Sequence, residues 1–119
     1  MEWIVEFHPA FEREFDDYPE TVQDGILARA GLIEIHGPQL GRPYADTLSG
    51  SRHANLKELR FDAGNGVWRV AFAFDPQRTA VLLAAGDKSG ERESRFYRRL
   101  IAQAEDRFDD HLRRLRGNI

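Results

Sequence analysis

The sequence predicts an α+β domain spanning residues 1–119: a small, twisted, mainly antiparallel sheet with an N-terminal helical hairpin and a C-terminal helix. Three observations carry this. Between Leu56 and Gly90 the chain reads LKELRF, VWRVAFAFD and TAVLLAAGDKSG, apolar runs separated by turn residues, as in an antiparallel meander. Ahead of it, Pro9, Pro19 and Gly37-Pro38 punctuate two helical stripes. Behind it, apolar residues recur at three-four spacing from Phe96 to Leu115.

In chain order, Trp3, Val5 and Phe7 alternate with other residues and predict an edge strand of the same sheet. Pro9 suits the first turn of a helix, where its missing N–H is not needed, and Phe11 and Phe15 share a face of that helix. Pro19 starts a second helix with the stripe Val22, Ile26, Leu27, Ala30 and Ile33, stopped by Gly37-Pro38. Gly25 and Gly31 weaken its interior, each by up to about 1 kcal/mol against Ala. Residues 38–55 read as a long loop tacked to the core by Leu40 and Leu48.

In the meander, Trp68, Val70, Phe72 and Phe74 form one bulky face, and Val67, Arg69, Ala71 and Ala73 the other. Leu56, Glu58 and Arg60 share a face of the preceding strand, with Lys57 on the opposite one. The expectation is a core side and a shallow, cationic working side. In the last helix, Arg92, Arg95, Arg98 and Arg99 lie off the apolar stripe.

Composition narrows the chemistry. Without cysteine there is no disulfide framework, thiolate nucleophile or Cys-based zinc site, and the four histidines lack metal-ligand spacing. No apolar run is long enough to span a bilayer and Met1 leads into charged sequence, so a cytoplasmic location is expected. The net charge of −3 conceals an asymmetry: three arginines against ten acids in residues 1–50, fourteen Lys and Arg against ten acids thereafter. A polyanionic partner is compatible with such a local basic surface. No Ser-His-Asp spacing, nucleotide-binding glycine loop or paired-carboxylate motif is present. What remains is a sheet face bearing Glu58, Arg60 and Arg69, with Lys88 at the end of the next strand. Arginine forks match phosphate oxygens and can stabilise a phosphoryl transition state; equally, Glu58, Arg60 and Arg69 can pair with one another and hold the sheet together.

The order strand, two helices, loop, LKELRF, VWRVAF, AVLLAAGDKSG and final helix resembles the RelE/ParE toxin superfamily over nearly the whole chain. The HigB-like branch, with its phage-derived host-inhibition proteins, is the most similar. The resemblance implies a toxin of a toxin–antitoxin pair that cleaves mRNA on the translating ribosome, with no metal or cofactor. It also implies an antitoxin partner, commonly one with a helix-turn-helix domain. The ribose 2′-OH would attack the adjacent phosphate and leave a 2′,3′-cyclic end. Carried onto this sequence, Arg60, Arg69 and Lys88 are the catalytic candidates, with Arg60 and Arg69 on the phosphorane and Lys88 on the backbone. Lys57, Arg52, His53, Tyr97 and Arg92 are the candidate RNA contacts, and His53 or Tyr97 is left to act as base. Relatives often carry a His or an aromatic residue and paired lysines where this chain has Ala84-Ala85-Gly86-Asp87 and a single Lys88. That departure keeps two alternatives open: a non-catalytic ParE-type gyrase inhibitor, and a decayed homologue that only binds its antitoxin.

Overall fold

The computed structural model describes residues 2–117. Strand β1 (Ile4–Phe7) leads into helices α1 (Pro9–Asp16) and α2 (Glu20–His36). Strand β2 (Ala45–Thr47), the meander β3 (Leu56–Ala63), β4 (Gly66–Phe74) and β5 (Thr79–Asp87), and helix α3 (Glu93–Gly117) complete the fold. The five strands lie in the order β1-β5-β4-β3-β2. Among the described residues only the β1–β5 pair is parallel, so the sheet is mainly antiparallel, as its sequence predicts.

Strand β2 was not expected. Its three residues sit inside the turn-rich 38–55 segment and are too few to show a period of two. They pair with β3, Ala45 opposite Leu59 and Asp46 opposite Glu58, and extend the sheet past the strand that carries Arg60.

Both faces of the sheet are covered, which corrects the expected division into core side and open working side. On one face Phe11, Val22, Ile26 and Ile33 of the helical pair pack on Leu59, Phe61, Val70, Phe72 and Leu82. On the other, Phe96, Leu100, Ala104 and Phe108 of α3 pack on Leu56, Ala71, Ala73, Val81 and Leu83. The small residues of β4 form the seat that lets α3 approach the sheet closely. The apolar stripe of α3 needs such a partner, because each large side chain it buries is worth about 2 kcal/mol. Beside the first turn of α3 this face opens into a cavity, and Arg42, Arg60 and Lys88 collect there.

A bulge decides which cations collect there. Ala71 pairs with Ala84 while Phe72 pairs with Leu82, leaving Leu83 as an extra residue in β5. Leu83 and Ala84 therefore both face α3, and Ala85 returns to the opposite core. The alternation is reset by one residue, which turns Lys88 onto the same side as Arg60. Strand β3 has no such irregularity, so Lys57 keeps to the face opposite Arg60.

Gly25 marks the closest approach of α2 to the sheet. A Cβ there would sit 2.5 Å from the Phe61 ring. Helix propensity alone favours Gly25→Ala by about 1 kcal/mol, whereas overpacking a ring in the core costs about 1–3 kcal/mol. The variant is expected to melt several degrees below the wild type; a raised melting temperature would show that the ring yields freely.

Histidine–carboxylate pairs tie α3 down. His8 Nε2 lies 2.8 Å from Asp110, His111 Nε2 lies 2.8 Å from the buried Asp75, and His53 Nε2 lies 2.9 Å from Asp109. Asp109 also accepts from Arg52, and Glu105 accepts from Ser51 Oγ and Arg52 N, clamping the 48–55 loop onto α3. The Arg52 hydrogen bond, opposed by partial burial and assisted by His53, pushes the Asp109 carboxyl down to about 2. A carboxyl that is a stronger acid when folded stabilises fully above its unfolded value of about 4, and that contribution fades as pH falls toward 2. Thermal melts across this window should show a shallower acid loss for Asp109→Asn than for the wild type. Equal slopes would remove Asp109 as a source of the acid dependence.

Candidate phosphate-handling site

Arg60 and Arg69 are directly opposite each other in the β3–β4 ladder. Two like charges across an antiparallel pair repel, so something must hold them. That group is Glu58, buried at 4% exposure on the same face as Arg60. One of its oxygens accepts from Arg60 Nη1 at 2.7 Å, and the other accepts from the Tyr97 hydroxyl at 2.7 Å. Arg69 Nε donates to the Tyr97 oxygen at 3.2 Å and stands 3.8 Å from Glu58, while Arg69 Nη1 donates to the Trp68 carbonyl at 2.9 Å. Arg69 is itself buried at 5% exposure, deeper than the surface position its strand pattern suggests, because α3 lies over it. The result is a closed circuit of carboxylate, phenol and two guanidiniums, drawn from β3, β4 and α3.

Lys88 completes the arrangement. Its backbone N–H donates to the Val67 carbonyl at 2.8 Å, and Asp87 accepts from Val67 N, Ser89 N and Ser89 Oγ, which fixes the turn into α3. The Lys88 ammonium lies 2.5 Å from Glu93 and 5.9 Å from the centre of the Tyr97 ring. Glu58, Arg60, Lys88, Glu93 and Tyr97 line one cavity of about 390 Å³, open to solvent and closed on its β2 side by Arg42 and Asp46. Three cations (Arg42, Arg60 and Lys88) and three carboxylates (Asp46, Glu58 and Glu93) line this polar hollow, and it can seat a phosphodiester where the cations exchange carboxylate partners for it.

Burial, and then the hydrogen bond to Glu58, hold the Tyr97 phenol above its ordinary range, with Arg69 pulling the other way. At neutral pH Tyr97 is therefore a neutral phenol that already donates its proton to a carboxylate. Such a group can receive a proton on its oxygen as it passes its own to Glu58.

Arg60, Arg69, Lys88 and Tyr97 are thus brought together; the other candidates are not. Arg52 and His53 are engaged by Asp109, roughly 18 Å further along α3 than Tyr97. Of the two candidate bases, only Tyr97 lies in the cavity. Arg92 is exposed at the start of α3, where its carbonyl accepts from Arg95 and Phe96, and it does not line the cavity. Lys57 lies on the wrong side of β3. Glu58 was legible only as a structural partner of Arg60; its place on the cation-bearing face was the available signal. The bare Ala84–Asp87 segment has a steric cause at its third residue, since a Cβ on Gly86 would lie 2.9 Å from the Phe96 ring. Among the described residues no group of three His, Asp or Glu side chains is placed to hold a metal ion. Nor is any helix long and apolar enough to cross a membrane.

The family model for Phage derived protein Gp49-like (DUF891) matches residues 13–109, a stretch that contains every residue of this cavity. The chain belongs to that family. The chain is also 46% identical over 88 residues to a candidate toxin of Mycobacterium tuberculosis, HigB2, a match that covers 73% of this chain. It spans under half of that relative, 43% of its length. To HigB3, a second candidate toxin of the same organism, it is 39% identical over 104 residues, with 87% of this chain and 89% of HigB3 covered. Among solved structures, a doubly arginine-substituted mutant of Escherichia coli toxin RelE in the free state superposes with a TM-score of 0.64 at 12% identity. That superposition covers 90% of this chain and 98% of RelE. A chain of the archaeal RelE–RelB complex from Pyrococcus horikoshii gives 0.55 at 16% identity, covering 76% of this chain and 99% of that one. At these identities the two structures establish the fold, which is that of RelE. The likeness to the HigB-like branch read from the sequence is borne out at the level of family and fold.

Proposed function

We propose that this chain is the toxin of a toxin–antitoxin pair and that it cleaves mRNA on the translating ribosome. The observation that carries the reading is that Glu58, Arg60, Lys88 and Tyr97 line one solvent-open cavity, with Arg69 joined to Tyr97 and Glu58 behind it. In the reaction the ribose 2′-oxygen bonds to phosphorus as the bond from phosphorus to the 5′-oxygen breaks, leaving a 2′,3′-cyclic phosphate. The 2′-OH proton passes to the Tyr97 oxygen while the Tyr97 proton moves to Glu58. Lys88, released from Glu93, protonates the leaving 5′-oxygen. Arg60 in the cavity wall, with Arg69 behind Tyr97, offsets the extra negative charge that develops on the phosphorane, an effect worth about 3–4 kcal/mol of barrier for a well-placed donor.

The RelE–RelB pairing of a structural neighbour and the toxin names of the relatives support a small protein antitoxin as partner. A second reading has one observation in its favour. Arg60 and Lys88 are both paired internally, with Glu58 and Glu93, as suits a surface that binds without turning over. A ParE-type inhibitor of gyrase would look like this.

Induced synthesis of the protein separates the two. Growth arrest with rapid loss of translation, and new primer-extension stops within translated messages, are expected. Intact messages accompanied by gyrase-dependent DNA breaks would transfer the assignment to the inhibitor.

A further inference from the structure

We propose that a second phosphate-binding pocket adjoins the first, where α2 meets β3, and that it holds a neighbouring phosphate of the RNA strand bound in the Arg60–Lys88 cavity; the assignment rests on the RNA-cleaving reading above. The pocket, about 390 Å³, is lined by Arg29, Arg42, Arg60 and Arg69, with Phe61 and Asp62 in its wall. Arg42 and Arg60 also line the first cavity, so the two hollows share a wall and suit successive phosphates of one strand.

Three of the four guanidiniums have partners: Arg42 with Asp46 at 2.8 Å, Arg60 with Glu58 at 2.7 Å, and Arg69 with the Tyr97 hydroxyl at 3.2 Å. Arg29 has no such partner among the described residues. Its Nε is buried without a hydrogen-bond acceptor, and its guanidinium lies over the Phe61 ring, 5.2 Å from the centre. Buried polar groups ordinarily find partners, so an orphaned guanidinium N–H needs an explanation. A guanidinium stacked on a ring keeps its edge donors free for an acceptor in the plane. The charges agree: four guanidiniums are met by Glu58, Asp46 and Asp62, leaving an excess of one, the charge of a phosphodiester.

The fold builds this corner deliberately. Gly25 lets α2 sink onto Phe61, and Arg29, one turn later on the same helical face, is thereby laid over the same ring. Arg29 is one of three cations in the otherwise acidic residues 1–50, and here it faces the basic side of the molecule.

Binding of 2′-O-methyl oligoribonucleotides, which cannot be cleaved, tests the pocket without requiring chemistry. Fluorescence anisotropy would follow a length series against the wild type, Arg29→Gln and Arg29→Lys. For the wild type, one added phosphate is expected to tighten binding about tenfold. That step should vanish in Arg29→Gln, with the slope of log affinity against log salt reduced by about 0.7, and survive in part in Arg29→Lys. The lysine variant keeps the charge and the helix, and it decides the matter if the glutamine variant does not fold. Wild-type binding of every oligonucleotide by folded variants would overturn the pocket. So would a failure of the wild type to bind the series, or a loss confined to an acidic antitoxin peptide. Message cleavage with no Arg29-dependent step removes this pocket alone. An Arg29-dependent step in a protein that cleaves nothing removes the catalytic reading alone.

Discussion

Replacing Tyr97 with Phe is expected to lower cleavage of ribosome-bound message by about two to four decades, the range for loss of a positioned acid–base group. Phenylalanine keeps the ring against Phe96, whose centre lies 5.2 Å away, and removes only the hydroxyl that links Glu58 to Arg69. Glu58 retains Arg60, but two buried hydrogen bonds are lost, one to Glu58 and one from Arg69, so the stability cost should be about 2–4 kcal/mol, or a fall of about 8–16 °C in melting temperature. Single-turnover kinetics beside a thermal melt measure both quantities. A variant that cleaves as fast as the wild type would take Tyr97 out of the reaction.

Arg69→Ala should have the largest combined effect. The sequence pattern places Arg69 on an open sheet face, where an ion pair is worth about 0–1 kcal/mol and its loss would scarcely alter the fold. In the structure it is buried at 5% exposure between Glu58, Tyr97 and the Trp68 carbonyl. Removing one member of a buried charged set costs about 3–5 kcal/mol, because the remaining members lose their compensation. We therefore expect a destabilised protein as well as a rate reduced by about two to three decades. Arg69→Lys separates the two effects: the charge restores much of the stability, whereas the lost fork leaves the rate low. Chemical denaturation and cleavage assays on both variants give the comparison. An alanine variant as stable as the wild type would contradict the buried circuit.

Much of the architecture could be read from periodicity and punctuation. Pro9, Pro19 and Gly37-Pro38 bound the helices, and the runs of β3, β4 and β5 are long enough to declare themselves. The Asp62–Gly66 turn lets Arg60 and Arg69 sit across the sheet from each other, and in the structure they are direct partners. What escaped depends on tertiary contact. Strand β2 exists because β3 offers it an edge, and nothing in Ala45-Asp46-Thr47 announces it. The face of Ala71 and Ala73 reads as a shallow floor, but small residues serve equally as the seat of a helix, and α3 takes that seat. The bulge at Leu83 is silent in a continuous apolar run, although it decides that Lys88 and not Lys57 joins Arg60. His53 and Arg52 looked available in a polar loop; their partners on α3 are more than fifty positions away in sequence.

The central claim is that the Glu58–Tyr97–Arg69–Arg60 circuit and Lys88 cleave RNA by 2′-OH attack. Its most direct measurement is the chemistry of the product end. Purified protein would be incubated with ribosomes programmed with an end-labelled message, and the upstream fragment analysed before and after treatment with a cyclic-phosphate-opening enzyme. A 2′,3′-cyclic phosphate, formed by the wild type and absent with Tyr97→Phe, is the predicted result. An uncut message, or a fragment ending in a 3′-hydroxyl, would contradict the account.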